Sequence, residues 1–93
     1  MTQRESREFL LELLVEVSED LGMLKLLLPV LCDCGVAPYD DDSVYLLDLE
    51  TQSSTIVEWD HEPEQIVRDQ IESASRSQLQ FYTAWAESVM NEL

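Results

Sequence analysis

The sequence predicts an α+β fold: a long N-terminal helix, a β-hairpin and a long C-terminal helix, in the order α-β-β-α, within a single domain covering 1-93. Three observations predict it. Leu10, Leu13, Leu14, Val17, Leu21, Leu24 and Leu28 recur at the spacing of one helix face. Two short alternating runs, 44–49 and 54–59, flank a polar turn at 50–53. Val67, Ile71, Ala74, Gln78, Phe81, Tyr82, Trp85 and Val89 then form a second helical stripe.

The first helix is expected over 4–28. Thr2 or Ser6 can cap its start, and the early Glu residues suit its positive N-terminus. Gly22 weakens the middle, and Pro29 should kink or end the helix near Leu28. Residues 30–34 read as a further turn of helix stopped by Gly35. Phe9, Leu11 and Val15 lie off the main apolar face and suit a second contact, within the chain or with a partner.

Residues 36–43, with Pro38 and three consecutive Asp, read as a loop. In the first strand Tyr45, Leu47 and Leu49 share one face and Val44, Leu46 and Asp48 the other. In the second, Thr55, Val57 and Trp59 alternate against Ile56 and Glu58. A lone two-stranded hairpin is marginal in water. It needs both helices on one face, or more strands, which a homodimer that joins two hairpins into a four-stranded sheet would supply. Pro63, after Asp60 and Glu62, opens a second helix expected over 63–91. Gln78, inside its apolar stripe, reads as a peripheral polar group or as a register-setting residue across an interface.

Charge is the dominant feature of the composition. Twenty acidic residues stand against five basic ones, for a formal net charge of −15. Glu5, Glu8, Glu12, Glu16 and Glu19 recur every three or four residues, which places them in one stripe opposite the leucines. The stripe runs ~21 Å along the axis, with one carboxylate per ~4.5–6 Å. Each like-charged neighbour pair on a helix costs ~0.2–0.5 kcal/mol, and only Arg4, four residues before Glu8, is placed to relieve the row. Such a face is either solvated or partner-facing; solvated faces usually mix signs. A surface this negative repels nucleic acid and anionic membranes and attracts basic surfaces, of which nucleic-acid-binding proteins are the commonest.

Hydrophobic residues make up 45% of the chain, enough for a core. The polar, charged residues 1–8 do not resemble a signal peptide, and the Leu-rich run 21–31 is about half the length needed to cross a bilayer. Two Cys without a secretory signal read as reduced thiols, so a cytoplasmic location is expected. Cys32, Cys34 and His61 form the one metal-like set, but C-x-C with a distant His lacks the paired spacing of a zinc site. Asp40, Asp41 and Asp42 lack the Gly and Glu that a calcium loop needs further on; Tyr45 and Thr51 stand there instead. With one His and no phosphate loop or nucleophile–base motif, neither an enzyme nor a cofactor is expected. With five basic residues, Trp59, Phe81, Tyr82 and Trp85 do not make a nucleic-acid stacking platform, so no direct nucleic-acid binding is expected.

In size, net charge, element order and Glu row the chain resembles the small acidic phage proteins that block host defence, the anti-CRISPR and anti-restriction DNA mimics. The resemblance implies an inhibitor that binds a CRISPR effector, nuclease or restriction enzyme, with carboxylates standing in for phosphates. DNA presents one phosphate per ~3.4 Å along each strand. The sparser α-helical row of Glu5, Glu8, Glu12, Glu16 and Glu19 would be joined by a second rail of flanking acids, Asp40, Asp41, Asp42, Glu58, Asp60, Glu62 and Glu64. The chain is also similar to type III secretion chaperones, which are small, acidic, dimeric α/β proteins, although it is shorter and has fewer strands. An acidic adaptor, secretion chaperone or immunity protein that binds a basic client is therefore the alternative, its contacts supplied by Phe9, Leu11 and Val15 or by the hairpin edge. Acidity as adaptation to brine is a third reading, in which the chain would need molar salt to fold.

Overall fold

The computed structural model describes residues 2–92. The elements in order are α1 (Gln3–Glu19), a 3₁₀ segment (Leu21–Leu27), α2 (Leu28–Cys34), β1 (Val36–Pro38), β2 (Ser43–Asp48), β3 (Ser53–Glu58), α3 (His61–Ser73) and α4 (Arg76–Glu92). The α+β class is as the sequence predicts, but each of the two long helices is divided and the hairpin gains a third strand.

Thr2, not Ser6, starts α1. Its hydroxyl accepts from the Glu5 amide at 3.1 Å, and the Glu5 carboxylate accepts from the Thr2 amide at 3.1 Å. This reciprocal capping box satisfies two of the donors a helix start leaves open. The expected helix over 4–28 breaks at Asp20, which leaves the helical region (φ −143°, ψ 94°) and accepts the Gly22 amide on its own carboxylate at 3.0 Å. A short acidic side chain offers the backbone this local alternative, and Gly22 does little to hold the helix against it. The 3₁₀ segment that follows buries Leu24, Leu26 and Leu27. Pro29 therefore begins a helix instead of ending one. It lies in the first turn of α2, where a missing N–H is not needed. Gly35, at φ 76°, stops α2 in the left-handed conformation that favours glycine.

Residues 36–38, expected in a loop, pair with β2 instead: Val36 with Leu46, Ala37 with Tyr45, Pro38 with Val44. The Leu47 amide donates to the Gly35 carbonyl at 2.8 Å, so the turn that ends α2 leads straight into the ladder. The sheet order is β1-β2-β3, all antiparallel, and the hairpin obtains its third strand from its own chain. Val36, Val44, Leu46 and Val57 form the face that joins the core. Tyr45, Leu47 and Ile56 take the opposite face.

Asp60 caps α3 by accepting the Glu62 amide at 3.1 Å. The second long helix breaks at Ala74, whose ψ of 142° is extended. Ser75 then restarts the chain with a second capping box: its hydroxyl accepts from the Gln78 amide at 3.3 Å, and the Gln78 side chain accepts from the Ser75 amide at 2.8 Å. Gln78 is thus a capping residue, not a register element. The break also rotates the helix face. Leu79, Tyr82, Thr83 and Ala86 are buried in α4, whereas Phe81 and Trp85 of the expected stripe are 60% and 37% exposed. Trp85 keeps one tie, donating its indole N–H to the Lys25 carbonyl at 2.8 Å. Arg7 of α1 donates to the Ala74 carbonyl at 3.3 Å, so a cation from α1 sits at the C-terminal end of α3.

Leu10, Leu13, Leu14 and Val17 of α1 pack with Val67, Ile71, Leu79 and Tyr82 in one core. Burying each side chain of this size is worth ~1.5–3 kcal/mol, several times the ~0.2–0.5 kcal/mol cost of each like-charged pair on a helix. The leucine face therefore wins, and the Glu row is carried on its back.

Tyr82 is 1% exposed, accepts from Gln70 at 3.0 Å and donates to the Asp33 carboxylate. Burial, aided by the bond to Asp33, pushes its phenol up to about 12. A free Tyr ionises near 10, so between pH 10 and 12 the unfolded chain loses this proton while the folded one keeps it. Stability from Tyr82 is complete below pH ~10 and is lost as pH rises towards 12. Urea unfolding at stepped pH should show this alkaline decline, flattened in Tyr82→Phe. Separately, Ser75→Ala removes one half of the α4 capping box and should lower unfolding free energy by about 1 kcal/mol in urea melts.

Candidate acidic binding surface

All five stripe residues, Glu5, Glu8, Glu12, Glu16 and Glu19, are exposed along the 17 residues of α1. They are not equivalent. Glu5 is held in the capping box, and the Thr2 backbone N–H lowers its carboxyl below the ordinary value. Glu8 pairs with Arg4 at 3.2 Å, but the two side chains are 60% and 88% exposed, so the contact is worth little. Glu12 and Glu16 line a shallow groove of about 180 Å³ with Phe9, Leu13 and Met90, where the C-terminal end of α4 passes α1. Glu19 closes the last turn of the helix. Of the three apolar residues expected as a second contact, Phe9 and Leu11 are half-buried against the core, and Val15 is 50% exposed. Val15 alone of the three offers substantial side-chain surface to a partner.

Asp40, Asp41 and Asp42 are exposed in the turn between β1 and β2. Asp40 accepts the Asp42 amide at 3.1 Å, and that backbone bond lowers its carboxyl below the ordinary value. Asp42 accepts from the Ser43 hydroxyl at 3.0 Å, and its carbonyl accepts from the Trp59 amide at 2.8 Å. The triple Asp is thus partly a turn-building element. It borders the sheet, which packs through β1 on α2, while α1 packs on α3, α4 and the 3₁₀ segment. The eight expected contact residues form two patches on different elements. Of the other acids expected in the second rail beside the triple Asp, Glu58, Asp60 and Glu62 are exposed, whereas Glu64 is half-buried and paired with Arg68 at 2.7 Å.

The feature that sequence reasoning passed over is the outer face of the sheet. Tyr39, Leu47 and Ile56 are each about half exposed, and Tyr39 meets Tyr45 edge to face at 5.0 Å. Beside them lies a cavity of about 490 Å³ lined by Cys32, Gly35, Val36, Ala37, Tyr45, Leu47 and Ser54. A signal was present: β2 is apolar on both of its faces, as a strand covered on both sides would be.

The two thiols differ. Cys32 is exposed at the cavity, while Cys34 is half-buried and donates to the Leu31 carbonyl at 3.5 Å. Burial pushes the Cys34 thiol up to about 11. Among the described residues no three His, Cys, Asp or Glu side chains converge as a metal site would require, and no helix is long and apolar enough to cross a membrane. Iodoacetamide at pH 8 should therefore label Cys32 in the native protein and leave Cys34 until the chain is unfolded. Peptide mass mapping before and after denaturation reads this directly; equal labelling would contradict the burial of Cys34.

No protein-family model, curated protein or solved structure matches the chain.

Proposed function

We propose that this protein is a non-enzymatic inhibitor that lays α1 against the positively charged nucleic-acid-binding surface of another protein and competes there with nucleic acid. The cytoplasm is the compartment for such an encounter, and CRISPR effectors, nucleases and restriction enzymes are the target class that the resemblance suggests. One observation supports the reading: five Glu side chains stand exposed in a row on a helix whose opposite face is locked in the core. The row is preformed, so little ordering entropy is spent when it meets a basic groove. Charge of one sign also steers the encounter. The adaptor reading draws support from a different observation, the apolar outer face of the sheet with Leu47 and Ile56 half exposed.

Pull-down of the tagged protein from a bacterial lysate at physiological salt, with and without excess duplex DNA, tests the first reading. A basic nucleic-acid-binding complex that DNA competes off is the expected catch; a partner indifferent to DNA counts against it. Replacing Glu8, Glu12 and Glu16 together by Gln should then raise Kd for the captured complex by roughly ten- to hundredfold and flatten its salt dependence. The thermal midpoint should hold or rise, because the changes relieve like-charge repulsion. Unchanged affinity would make the stripe a solvated face.

A further inference from the structure

The two edges of the sheet are built differently. Three bonds set the backbone phase: Tyr39 donates to the Ser43 carbonyl, Leu47 to the Gly35 carbonyl and Trp59 to the Asp42 carbonyl. Antiparallel ladders alternate, so every second residue turns its N–H and C=O away from a given neighbour. On β1 the outward residues are Val36 and Pro38. Pro38 has no N–H to offer, and the strand is three residues long, so this edge is closed to pairing. On β3 the inward residues are Ser53, Thr55 and Val57, which leaves the N–H and C=O of Ser54, Ile56 and Glu58 facing out.

Of the usual protections the β3 edge carries a single charge, Glu58. It is six residues long, with no Pro, Lys or bulge, and its residues are exposed except for half-buried Val57. Its centre, Thr55-Ile56-Val57, is wholly β-branched. The surrounding charge decides what could pair with it. Residues 36–62 hold eight acids and no Lys or Arg. Asp48 and Glu50 lie at one end of the strand, Glu58, Asp60 and Glu62 at the other. A second copy would bring the same eight carboxylates, and no cation, to the same place.

We propose that the free edge of β3 is a docking site for an extended segment of a partner protein that is flanked by Lys or Arg and adds as a fourth strand. The main-chain groups of Ser54, Ile56 and Glu58 pair with it. Its apolar side chains extend the outer face beside Ile56 and Tyr45, and its basic flanks reach the acids at either end. The site is separate from the α1 stripe and does not depend on it.

A fluorescein-labelled decapeptide of alternating Val and Thr, with two Lys at each end, is the probe; the same peptide with Glu at both ends is its control. The Lys-flanked peptide should bind at least about tenfold more tightly than the control and slow amide exchange at Ser54, Ile56 and Glu58. Ile56→Pro deletes an outward N–H that the β2–β3 ladder does not use, so it should abolish binding with the fold intact. Ile56→Lys keeps every backbone group but removes the apolar contact at the centre of the strand and adds a cation to the acid-bounded site, so it should weaken binding even if the Pro variant unfolds. The Gln triple variant of α1 should bind the peptide unchanged, which separates failure here from failure of the proposed function. Equal binding of the two peptides, or no protection at the three amides, overturns the proposal. So does a concentration-dependent dimer in light scattering that Ile56→Pro dissolves, because it assigns the edge to a second copy.

Discussion

A chain with twenty carboxylates and five cations can close a core only where its acids are left in water. The leucine face of α1 is where that constraint is met. Leu10, Leu13, Leu14 and Val17 are buried against α3, α4 and the 3₁₀ segment, and the helix period then places every stripe Glu outside. The acidic surface is thus a consequence of the core and is as rigid as the core. Arg7 reinforces the arrangement by donating to the Ala74 carbonyl at the end of α3.

Many of the acids have work within the fold. Glu5 and Asp60 cap helix starts, Asp20 ends α1 and opens the 3₁₀ segment, and Asp40 and Asp42 shape the turn into β2. Asp33 holds the Tyr82 hydroxyl, and Glu64 pairs with Arg68. Acids without such a role stand out more clearly against that background: Glu12, Glu16 and Glu19 on α1, and Glu58 and Glu62 around the sheet.

The sheet shows the same economy. Gly35 turns the chain from α2 directly into β1, and Pro38 shuts the edge it creates. The other edge and the outer face stay open, in a region whose charged groups all carry one sign. The molecule therefore has two distinct surfaces: a charged row on α1 and an apolar, acid-bounded strand edge. They would recognise different features of a basic partner.

The sequence by itself determined the class, the hairpin and its alternation, the Gly35 stop and the exposed Glu stripe, and it narrowed the start of α1 to Thr2 or Ser6. All of these rest on interactions between residues a few positions apart, where period and capping chemistry are legible. Tertiary structure decided where the long apolar stripes break. Leu21, Leu24 and Leu28 continue the α1 pattern by period, and Phe81 and Trp85 continue that of α3. Asp20 and Ala74 interrupt both, because folding the chain back lets α1 meet α4 and buries Leu26, Leu27 and Leu79 alongside Leu24, while Phe81 and Trp85 are left exposed. Likewise 36–38 has no strand pattern of its own. It becomes β1 only because α2 delivers it beside β2, where pairing satisfies backbone groups and Val36 enters the core. Periodicity describes one element at a time; which elements are adjacent is settled by the apolar area they bury together.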